Sequence, residues 1–502
     1  MLTLSKAEVF NIKADCIQLP SQSSFGFPER VLQFGTGVLL RGLPDYYIDK
    51  ANKQGVFNGR IVVVKSTDIA GADSFADQDG LYTLCIRGIS QGKKVAKYMV
   101  NNAISRVLAA STQWSDILKV AENPHLQIVI SNTTEAGIVR GNDVLTDNPP
   151  STFPGKLLSV LYERYKHFNG SLDKGLVILP TELITDNGSK LKGIVYSLAK
   201  ENKLEDGFIH WLDYANDFCN TLVDRIVPGR LPAEDQKQIE SQLGYKDKLM
   251  IMAEPFSLWA IEADSDRVSE VLSFAMADEN IVIVPSIDKF KEIKLRLLNG
   301  THTLSCGVAI CAGFKTVKEA MDEGLFRMFV EQLMFQEIGL AIQGEVISKG
   351  DIEEFSRNVI DRFSNPYLEH RWENISMNYT AKMAMRNIPI LKKWYEKSTV
   401  VPHHIACGFA AYLNFMNTEN IDGQYVRMVG EHKIILQDEF ASVLFNYWKD
   451  PLTVTRNVLT DDHLWGEDLS IYEGFLEAVT YNLKNIRDLG MHEALEMMMR
   501  SK

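Results

Sequence analysis

Short runs of Val, Ile and Leu, separated by longer stretches of helical periodicity, mark the first half of the chain. Four of these runs, at residues 30–35, 60–65, 126–131 and 175–180, predict strands that are covered on both faces of a sheet. Between them, residues 104–123 are typical of an amphipathic helix. Strands that alternate with helices predict βαβ units, and therefore an α/β fold with a parallel, doubly wound, Rossmann-like sheet.

The pattern changes after the apolar run at residues 279–286. Beyond it the hydrophobic spacing predicts long helices, for example over residues 316–342 and 469–499. We therefore predict a Rossmann-like dinucleotide-binding domain over residues 1–286. A mainly α-helical substrate or catalytic domain is predicted over residues 287–502.

Length and charge narrow the classes of function. A chain of 502 residues with a formal net charge of -12 suits two globular domains. The acidic balance argues against nucleic acid or an anionic membrane as the main partner, but it leaves a small anionic substrate possible. No apolar run approaches the roughly 20 residues that a membrane-spanning helix needs, and the polar N-terminus does not resemble a signal peptide.

The cysteines give a further expectation about the compartment. All six are scattered along the chain without a CxxC pair, which predicts reduced thiols in a cytoplasmic protein. No heptad pattern indicates how the chain assembles, so the oligomeric state stays open.

A glycine turn follows the first predicted strand. Gly35 permits a tight turn, and Gly37 removes a side chain where a pyrophosphate would approach the backbone. The third glycine of the usual fingerprint is replaced by Leu40. The segment therefore indicates either a dinucleotide site or only a tight strand-to-helix turn. The predicted cofactor-binding residues here are Phe34, Gly35, Thr36, Gly37, Val38 and Arg41.

The end of the second strand bears on the choice of cofactor. An acid at this position favours NAD, because it binds the ribose hydroxyls, whereas a cation favours the 2′-phosphate of NADP. The chain has Lys65 at the strand end and Asp68 three residues later. Asp68 is the further cofactor-binding candidate, and the residues alone leave both cofactors open.

Three polar residues interrupt a helix that otherwise has the character of a buried one. Lys294, Asn299 and His302 fall at roughly 0°, 140° and 80° on an ideal α-helix, so all three fit on one side. The bland interpretation is a helix edge with a solvated lysine and a core histidine. The alternative is a site for oxidising a secondary alcohol, with a lysine base, an asparagine donor to an alkoxide and a histidine that holds a hydroxyl.

A second polar cluster follows the fourth strand. Glu182, Asp186 and Asn187 lie where a doubly wound sheet presents residues to its ligand. An Asp-Asn-Gly sequence is also a common structural turn.

These motifs are similar to those of a known family. The Lys-x4-Asn-x2-His pattern in "KLRLLNGTHTL", with "QFGTGVLLRG", "SNTTEAGI", "TDNG" and "LVDRIVP", resembles the polyol-specific long-chain dehydrogenases typified by mannitol 2-dehydrogenase. The resemblance covers essentially the whole chain. It implies an N-terminal Rossmann domain, a helical C-terminal domain, a nicotinamide cofactor, taken as NAD, and no metal.

The resemblance also implies roles for particular residues. Lys294 matches the general acid/base, and Asn299 and Asn187 match the two asparagines of an oxyanion hole. His302 matches a substrate-orienting histidine. Asp224 matches an aspartate near that centre.

One departure from the family points to a sugar acid as substrate. The mannitol branch has Cys-Asp-Asn where this chain has Thr181 to Leu183, which argues against a plain polyol. A substrate with a carboxylate requires a cation, and Lys382 is the predicted substrate-binding residue. Arg371 and the pair His403 and His404 are weaker candidates.

Two other classes of function remain. A non-catalytic dinucleotide-binding sensor would keep the cofactor site without turnover. A metal enzyme would need His302, His403 and His404 together, a spacing that fits no compact metal motif.

Overall fold

The computed structural model describes residues 1–66, 74–133 and 137–500. Contacts divide the chain into two compact units. The first unit contains Met1–Arg87 and Lys94–Ile287, and the second contains Gly88–Lys93 and Asp288–Lys502.

Most of the strands lie in the first unit. In chain order the described strands are β1 (Leu2–Thr3), β2 (Ile17–Gln18), β3 (Glu29–Phe34), β4 (Arg60–Lys65), β5 (Tyr82–Ser90), β6 (Lys93–Asn101), β7 (Ile104–Ala109), β8 (Ile128–Ser131), β9 (Val177–Pro180), β10 (Asp217–Phe218), β11 (Thr221–Asp224), β12 (Tyr245–Lys246), β13 (Ile251–Ala253), β14 (Leu258–Glu262) and β15 (Ile281–Val284).

The main sheet of this unit is parallel and doubly wound. Its described strands have the order β10-β9-β8-β3-β4-β7, and every pair in it is parallel. The chain runs from β3 outward through β4 and β7, and then returns to the other side of β3 through β8. In such a sheet the ligand binds beyond the carboxyl ends of the strands where the order reverses, which here are β3 and β8.

Alternation along the strands builds a core on each face of this sheet. Val31 and Ile128 belong to one core, whereas their neighbours Leu32 and Val129 belong to the other. All four side chains are fully buried. This arrangement explains why the strands are continuous apolar runs in the sequence. The predicted α/β fold with a parallel Rossmann-like sheet is confirmed.

The remaining strands of the unit form smaller sheets with the orders β1-β12, β13-β5-β6-β2 and β11-β14-β15. The helices of this unit contribute residues to both cores of the main sheet. They are α1 (Val38–Gly42), α2 (Pro44–Lys53), α3 (Ser74–Asp77), α4 (Trp114–Ala121), α5 (Phe153–His167), α6 (Asn187–Glu201), α7 (Asp206–Tyr214), α8 (Ala233–Leu243) and α9 (Asp266–Val271).

The second unit is mainly helical, as predicted. Its described α-helices are α10 (Asp288–Ile293), α11 (Thr301–Cys311), α12 (Val317–Asp322), α13 (Gly324–Gln332), α14 (Gly339–Ile342), α15 (Lys349–Phe363), α16 (Trp372–Ser376), α17 (Tyr379–Tyr395), α18 (His403–Phe415), α19 (Ala441–Tyr447), α20 (Val454–Leu459), α21 (Asp462–Trp465), α22 (Phe475–Leu489) and α23 (Met491–Arg500). Two π-helices, Lys294–Gly300 and Leu333–Ile338, join α10 to α11 and α13 to α14.

Several details differ from the sequence-based predictions. The stretch 104–123 begins with strand β7 and only its second part is helix α4, because its β-branched start completes the main sheet. The predicted long helix at 316–342 is interrupted at Glu323, whose carboxylate caps the next helix. The helix at 469–499 breaks at Gly490, where φ is +90°. The second unit also holds a small sheet that the helical pattern did not predict, formed by β16 (Glu419–Ile421), β17 (Gln424–Val429) and β18 (His432–Ile435).

Two features are absent from the described ranges, a membrane-spanning helix and a cluster of metal-binding side chains. None of the helices there combines the length and the apolar character that crossing a bilayer requires. In the same ranges, no three His, Cys, Asp or Glu side chains are grouped so that they could hold a metal ion.

Candidate active site

The glycine turn between β3 and α1 has the geometry that close approach of a ligand requires. Gly35 has φ +122°, and its N–H donates to the carbonyl of Val64 at 3.0 Å. A Cβ at Gly35 would lie 2.9 Å from the carbonyl oxygen of Asn132, so no side chain fits there. Around Gly37 a Cβ would meet nothing within 4 Å. The turn therefore has no room for a side chain at Gly35, whereas the space around Gly37 is open.

A cavity of about 300 Å³ lies at the carboxyl ends of the strands beside this turn. Phe34, Ser66 and Thr133, which end or follow β3, β4 and β8, form one side of it. Its other side includes Thr152, the N-cap of α5, and Lys156 from the first turn of that helix. An open glycine turn next to a cavity at the reversal point of the sheet fits a dinucleotide.

Two other predicted cofactor residues, Thr36 and Val38, lie in the turn and at the start of α1, and both are half-buried. Lys65 ends β4 as predicted. Asp68 lies outside the described residues, so its proposed contact with the ribose stays a prediction.

The side chain of Arg41 makes its contacts in the protein core. Its side chain is buried, donates from Nη1 to the carbonyl of Leu249 at 2.8 Å, and faces the ring of Tyr82. Burial lowers the pKa of Arg41. These contacts give the guanidinium a structural role in the core, and they remove the reason for assigning Arg41 to the cofactor phosphates.

Asn187 lies at the start of α6, 1 % exposed. Its Nδ2 donates to the carbonyls of Pro180 (3.0 Å), Glu182 (3.1 Å) and Thr221 (3.2 Å). Its Oδ1 accepts from the N–H groups of Gly188 and Thr221, both at 2.9 Å. Because three carbonyls already share its two N–H hydrogens, Asn187 holds β9, α6 and β11 together, and we do not assign it to an oxyanion hole.

Glu182 has a more specific place than the sequence indicated. It is 3 % exposed, and its carboxylate accepts from the hydroxyl of Thr133 at 2.9 Å, the N–H of Thr133 at 3.0 Å and the hydroxyl of Ser131 at 3.1 Å. Burial raises the pKa of Glu182, and these hydrogen bonds oppose that rise. Glu182 therefore fixes Thr133, which is part of the wall of the cavity.

Asp224 is the last residue of β11 and is buried. Thr221, at the other end of that strand, is bonded to Asn187. The structure thus brings Asp224 and Asn187 onto adjoining elements of the first unit.

In the second unit, the segment with the lysine motif is a π-helix and not the ideal α-helix that we assumed. A π-helix closes its hydrogen bonds between residues five apart, and such turns are frequent at functional sites. Lys294 and Asn299 are five residues apart, so one π-turn places them on the same side. His302 follows in α11, three residues after Asn299, which again shares that side. Lys294 and Asn299 are half-buried and His302 is 8 % exposed.

His302 lies among aromatic rings and basic groups. Its ring stacks on Phe363, with centroids 4.0 Å apart, and meets the edges of His370 and Trp372 at 5.0 Å and 6.0 Å. Its Nε2 has no hydrogen-bond partner in the described part of the chain. Burial, and then His370 and the nearby guanidinium groups, lower the pKa of His302 well below 6.5. The imidazole is therefore neutral.

Lys382 lies in α17 on this side of the unit. It donates to the carbonyl of Ile375 at 3.1 Å, and burial followed by the charge of Arg386 lowers its pKa. Sequence reasoning missed Arg386, although its spacing of four from Lys382 places both on one helix face. It also missed Arg362 and His370, which no local pattern connects with His302.

The weaker candidates for binding a carboxylate have other contacts. Arg371 is exposed and pairs with Glu369. His404 is buried, and its Nδ1 lies 2.6 Å from Glu337, which also accepts from the backbone N–H of His404. His403 is exposed. These contacts place neither Arg371 nor His404 beside His302.

Family models cover most of the chain. Residues 29–271 match the Mannitol dehydrogenase Rossmann domain, and residues 286–487 match the Mannitol dehydrogenase C-terminal domain. The chain belongs to the mannitol dehydrogenase family. The predicted resemblance is thereby confirmed, and the chain is an oxidoreductase that acts on a CH–OH group.

Relatives within the mannitol dehydrogenase family extend over nearly the full length. The chain is 38% identical over 477 residues to altronate oxidoreductase of Bacillus subtilis, covering 94% of this chain and 95% of that one. It is 36% identical over 475 residues to altronate oxidoreductase of Escherichia coli O1:K1, covering 93% and 96%.

Two solved structures share the fold. Mannitol 2-dehydrogenase of Pseudomonas fluorescens, solved as a ternary complex with NAD and D-mannitol, superposes with a TM-score of 0.68 at 18% identity, over 100% of both chains. A D-sorbitol dehydrogenase in substrate-free form gives a TM-score of 0.77 at 20% identity, over 99% of this chain and 100% of that one.

Proposed function

We propose that this oxidoreductase uses NAD to interconvert D-tagaturonate and D-altronate, a step of hexuronate catabolism. The observation that carries the proposal is the likeness to altronate oxidoreductases over more than nine-tenths of both chains. The basic surroundings of His302 add chemical support, because a sugar acid brings a carboxylate that a mannitol-type substrate lacks.

NAD is the cofactor that the first unit would hold. Gly35 and Gly37 would let its pyrophosphate approach the backbone, and the cavity beside them would accommodate part of the dinucleotide. The structural neighbour from Pseudomonas fluorescens was solved with NAD. When bound, this cofactor supplies a hydride to the ketone carbon, or accepts one from the alcohol.

Side chains of the π-helix would bind and protonate the oxygen of the reacting group. In the reductive direction, the carbonyl oxygen gains negative charge and needs a hydrogen-bond donor and a proton. Asn299 would donate a hydrogen bond to it, and Lys294 would deliver the proton that completes the hydroxyl. His302 is neutral and has a free Nε2 among the described residues, so it would bind a neighbouring hydroxyl of the sugar.

A substrate panel tests this assignment. Purified protein is assayed with D-tagaturonate, D-fructuronate and D-fructose, each with NADH and with NADPH. We expect the highest kcat/KM with D-tagaturonate and NADH. A preference for D-fructuronate would identify a fructuronate reductase, and a preference for D-fructose would identify a mannitol-type dehydrogenase.

The panel also tests the sensor hypothesis. A non-catalytic sensor would bind NADH in a fluorescence titration and turn over none of the three substrates.

We propose a cytoplasmic location as well, because all six cysteines are free thiols.

A further inference from the structure

Basic side chains from three segments of the second unit act on His302. Arg362 comes from α15, His370 from the segment after it, and Lys382 and Arg386 from successive turns of α17. After burial, the largest electrostatic influences on His302 come from these four groups, and all of them lower its pKa. Arg362, Lys382 and Arg386 therefore place positive charge near a neutral imidazole.

Positive charge that is withdrawn from water is costly unless an anion compensates it. Burial lowers the pKa of both Lys382 and Arg386. An anionic ligand in this cluster would offset that cost.

Arg386 is held in place and still has capacity to bind. Its Nη1 donates to the hydroxyl of Thr303 at 3.1 Å, and that hydroxyl donates to the carbonyl of Asn299 at 2.8 Å. Arg296 fixes the backbone carbonyl of Arg386 at 2.8 Å. Yet the Nε of Arg386 is buried and has no partner within the described ranges, as is also true of the Nε2 of His302. The guanidinium is thus oriented by Thr303 of α11 and retains an unused donor.

We propose that Arg386 recognises the carboxylate of the sugar-acid substrate, assisted by Lys382 one turn before it. This inference rests on the proposed function and names a residue that sets its specificity. A guanidinium presents a planar fork of donors that matches a carboxylate, whereas an ammonium acts as a point charge. Arg386 therefore selects for an acid over an uncharged sugar, and Lys382 adds charge.

The test compares an acid with its uncharged counterpart. Wild type, Arg386→Gln and Arg386→Lys are assayed with D-tagaturonate and with D-tagatose, which has a hydroxymethyl group in place of the carboxylate. Loss of a charged hydrogen bond predicts a fall of about 10-fold to 100-fold in kcat/KM for D-tagaturonate in Arg386→Gln, mainly through KM. The value for D-tagatose should change less than about threefold, and Arg386→Lys should lie between. Arg357→Gln is the matched control, because Arg357 is 74% exposed on α15.

The outcomes separate this inference from the proposed function. Suppose that wild type reduces D-tagaturonate. If Arg386→Gln then lowers kcat/KM equally for D-tagaturonate and D-tagatose, or lowers it for neither, the inference is overturned and the function stands. If wild type reduces no D-tagaturonate, the function fails, and calorimetry with D-altronate decides about Arg386. Equal affinity of wild type and Arg386→Gln then overturns the inference, whereas at least about tenfold weaker binding supports it. If Arg386→Gln does not fold, Arg386→Lys with a wild-type KM for D-tagaturonate is the overturning result.

Discussion

The imidazole of His302 stacks face to face on the phenyl ring of Phe363, with centroids 4.0 Å apart and planes inclined by 10°. This contact fixes the ring of a residue whose Nε2 has no partner in the described part of the chain. It also excludes water from one face of the imidazole. The same stacking that orients His302 therefore contributes to the burial that lowers its pKa.

The buried state of His302 predicts a dependence of stability on pH. Its pKa is depressed in the folded protein, so at pH values below 6.5 the unfolded chain binds a proton that the folded protein does not. Stability should therefore fall as pH decreases below 6.5. His302→Gln should show a shallower fall, by up to about 1.4 kcal/mol per pH unit. Thermal melting between pH 5 and pH 8 measures this difference.

Two comparisons make the pH experiment specific. His370 touches His302, and its pKa is also lowered, by burial and then by Arg362, so His370→Gln should give a similar, smaller change. His403→Gln removes an exposed histidine and controls for composition. Parallel profiles for wild type and His302→Gln would contradict the assignment of a neutral, buried imidazole.

Lys294→Met tests the proposed proton donor. Removing a general acid/base should lower kcat by about 10²-fold to 10⁴-fold. Affinity for NADH, measured by fluorescence titration, should stay near that of wild type. The matched control is Lys291→Met, one turn earlier, where the side chain pairs with Asp288 at 3.3 Å. A kcat for Lys294→Met within a few-fold of wild type would refute the proposed role.

The main sheet could be predicted because its information is local. Strands β4 and β8 are covered on both faces of a parallel sheet, so residues such as Val62 and Val129 belong to continuous apolar runs in the sequence. The lysine motif was also visible, since it is a pattern within nine residues. Its π-helical geometry could not be predicted, because a π-turn and an α-turn can have the same hydrophobic pattern and differ in tertiary packing.

Long-range partners set the other limits on prediction. Arg41 follows the glycine turn in sequence, yet its guanidinium bonds to Leu249, more than two hundred residues later. Arg386 joins the site through Thr303, which lies in a different helix. Sequence spacing identifies which residue types lie near a motif, but the acceptor that a long side chain reaches depends on how distant elements pack.

Gly35→Ala and Gly37→Ala form a matched pair for the cofactor site. Alanine at position 35 would have to adopt φ +122° and approach the carbonyl of Asn132 at 2.9 Å, so it should lower Tm by several degrees even without cofactor. Alanine at position 37 meets nothing in the protein and should leave Tm unchanged. If the pyrophosphate lies over Gly37, its methyl group should weaken NADH binding at least about tenfold. Unchanged NADH affinity in Gly37→Ala would place the cofactor elsewhere.

Asp45, in the first turn of α2, is a fully buried acid. Burial raises its pKa to about 8, although Gln33 and Arg41 lower it in part. The folded protein thus holds a proton that the unfolded chain releases above pH 3.8, and stability is lost as pH rises towards about 8. Asp45→Asn should remove this loss, since its amide could donate to the unpartnered Oε1 of Gln33. Its Tm should exceed that of wild type by a few degrees at pH 8, and the gap should close near pH 4.

Asp49→Asn, one turn later, should instead lower Tm, because Asp49 pairs with Lys53. A Tm gap for Asp45→Asn that is constant with pH would show that Asp45 is already ionised in the folded protein.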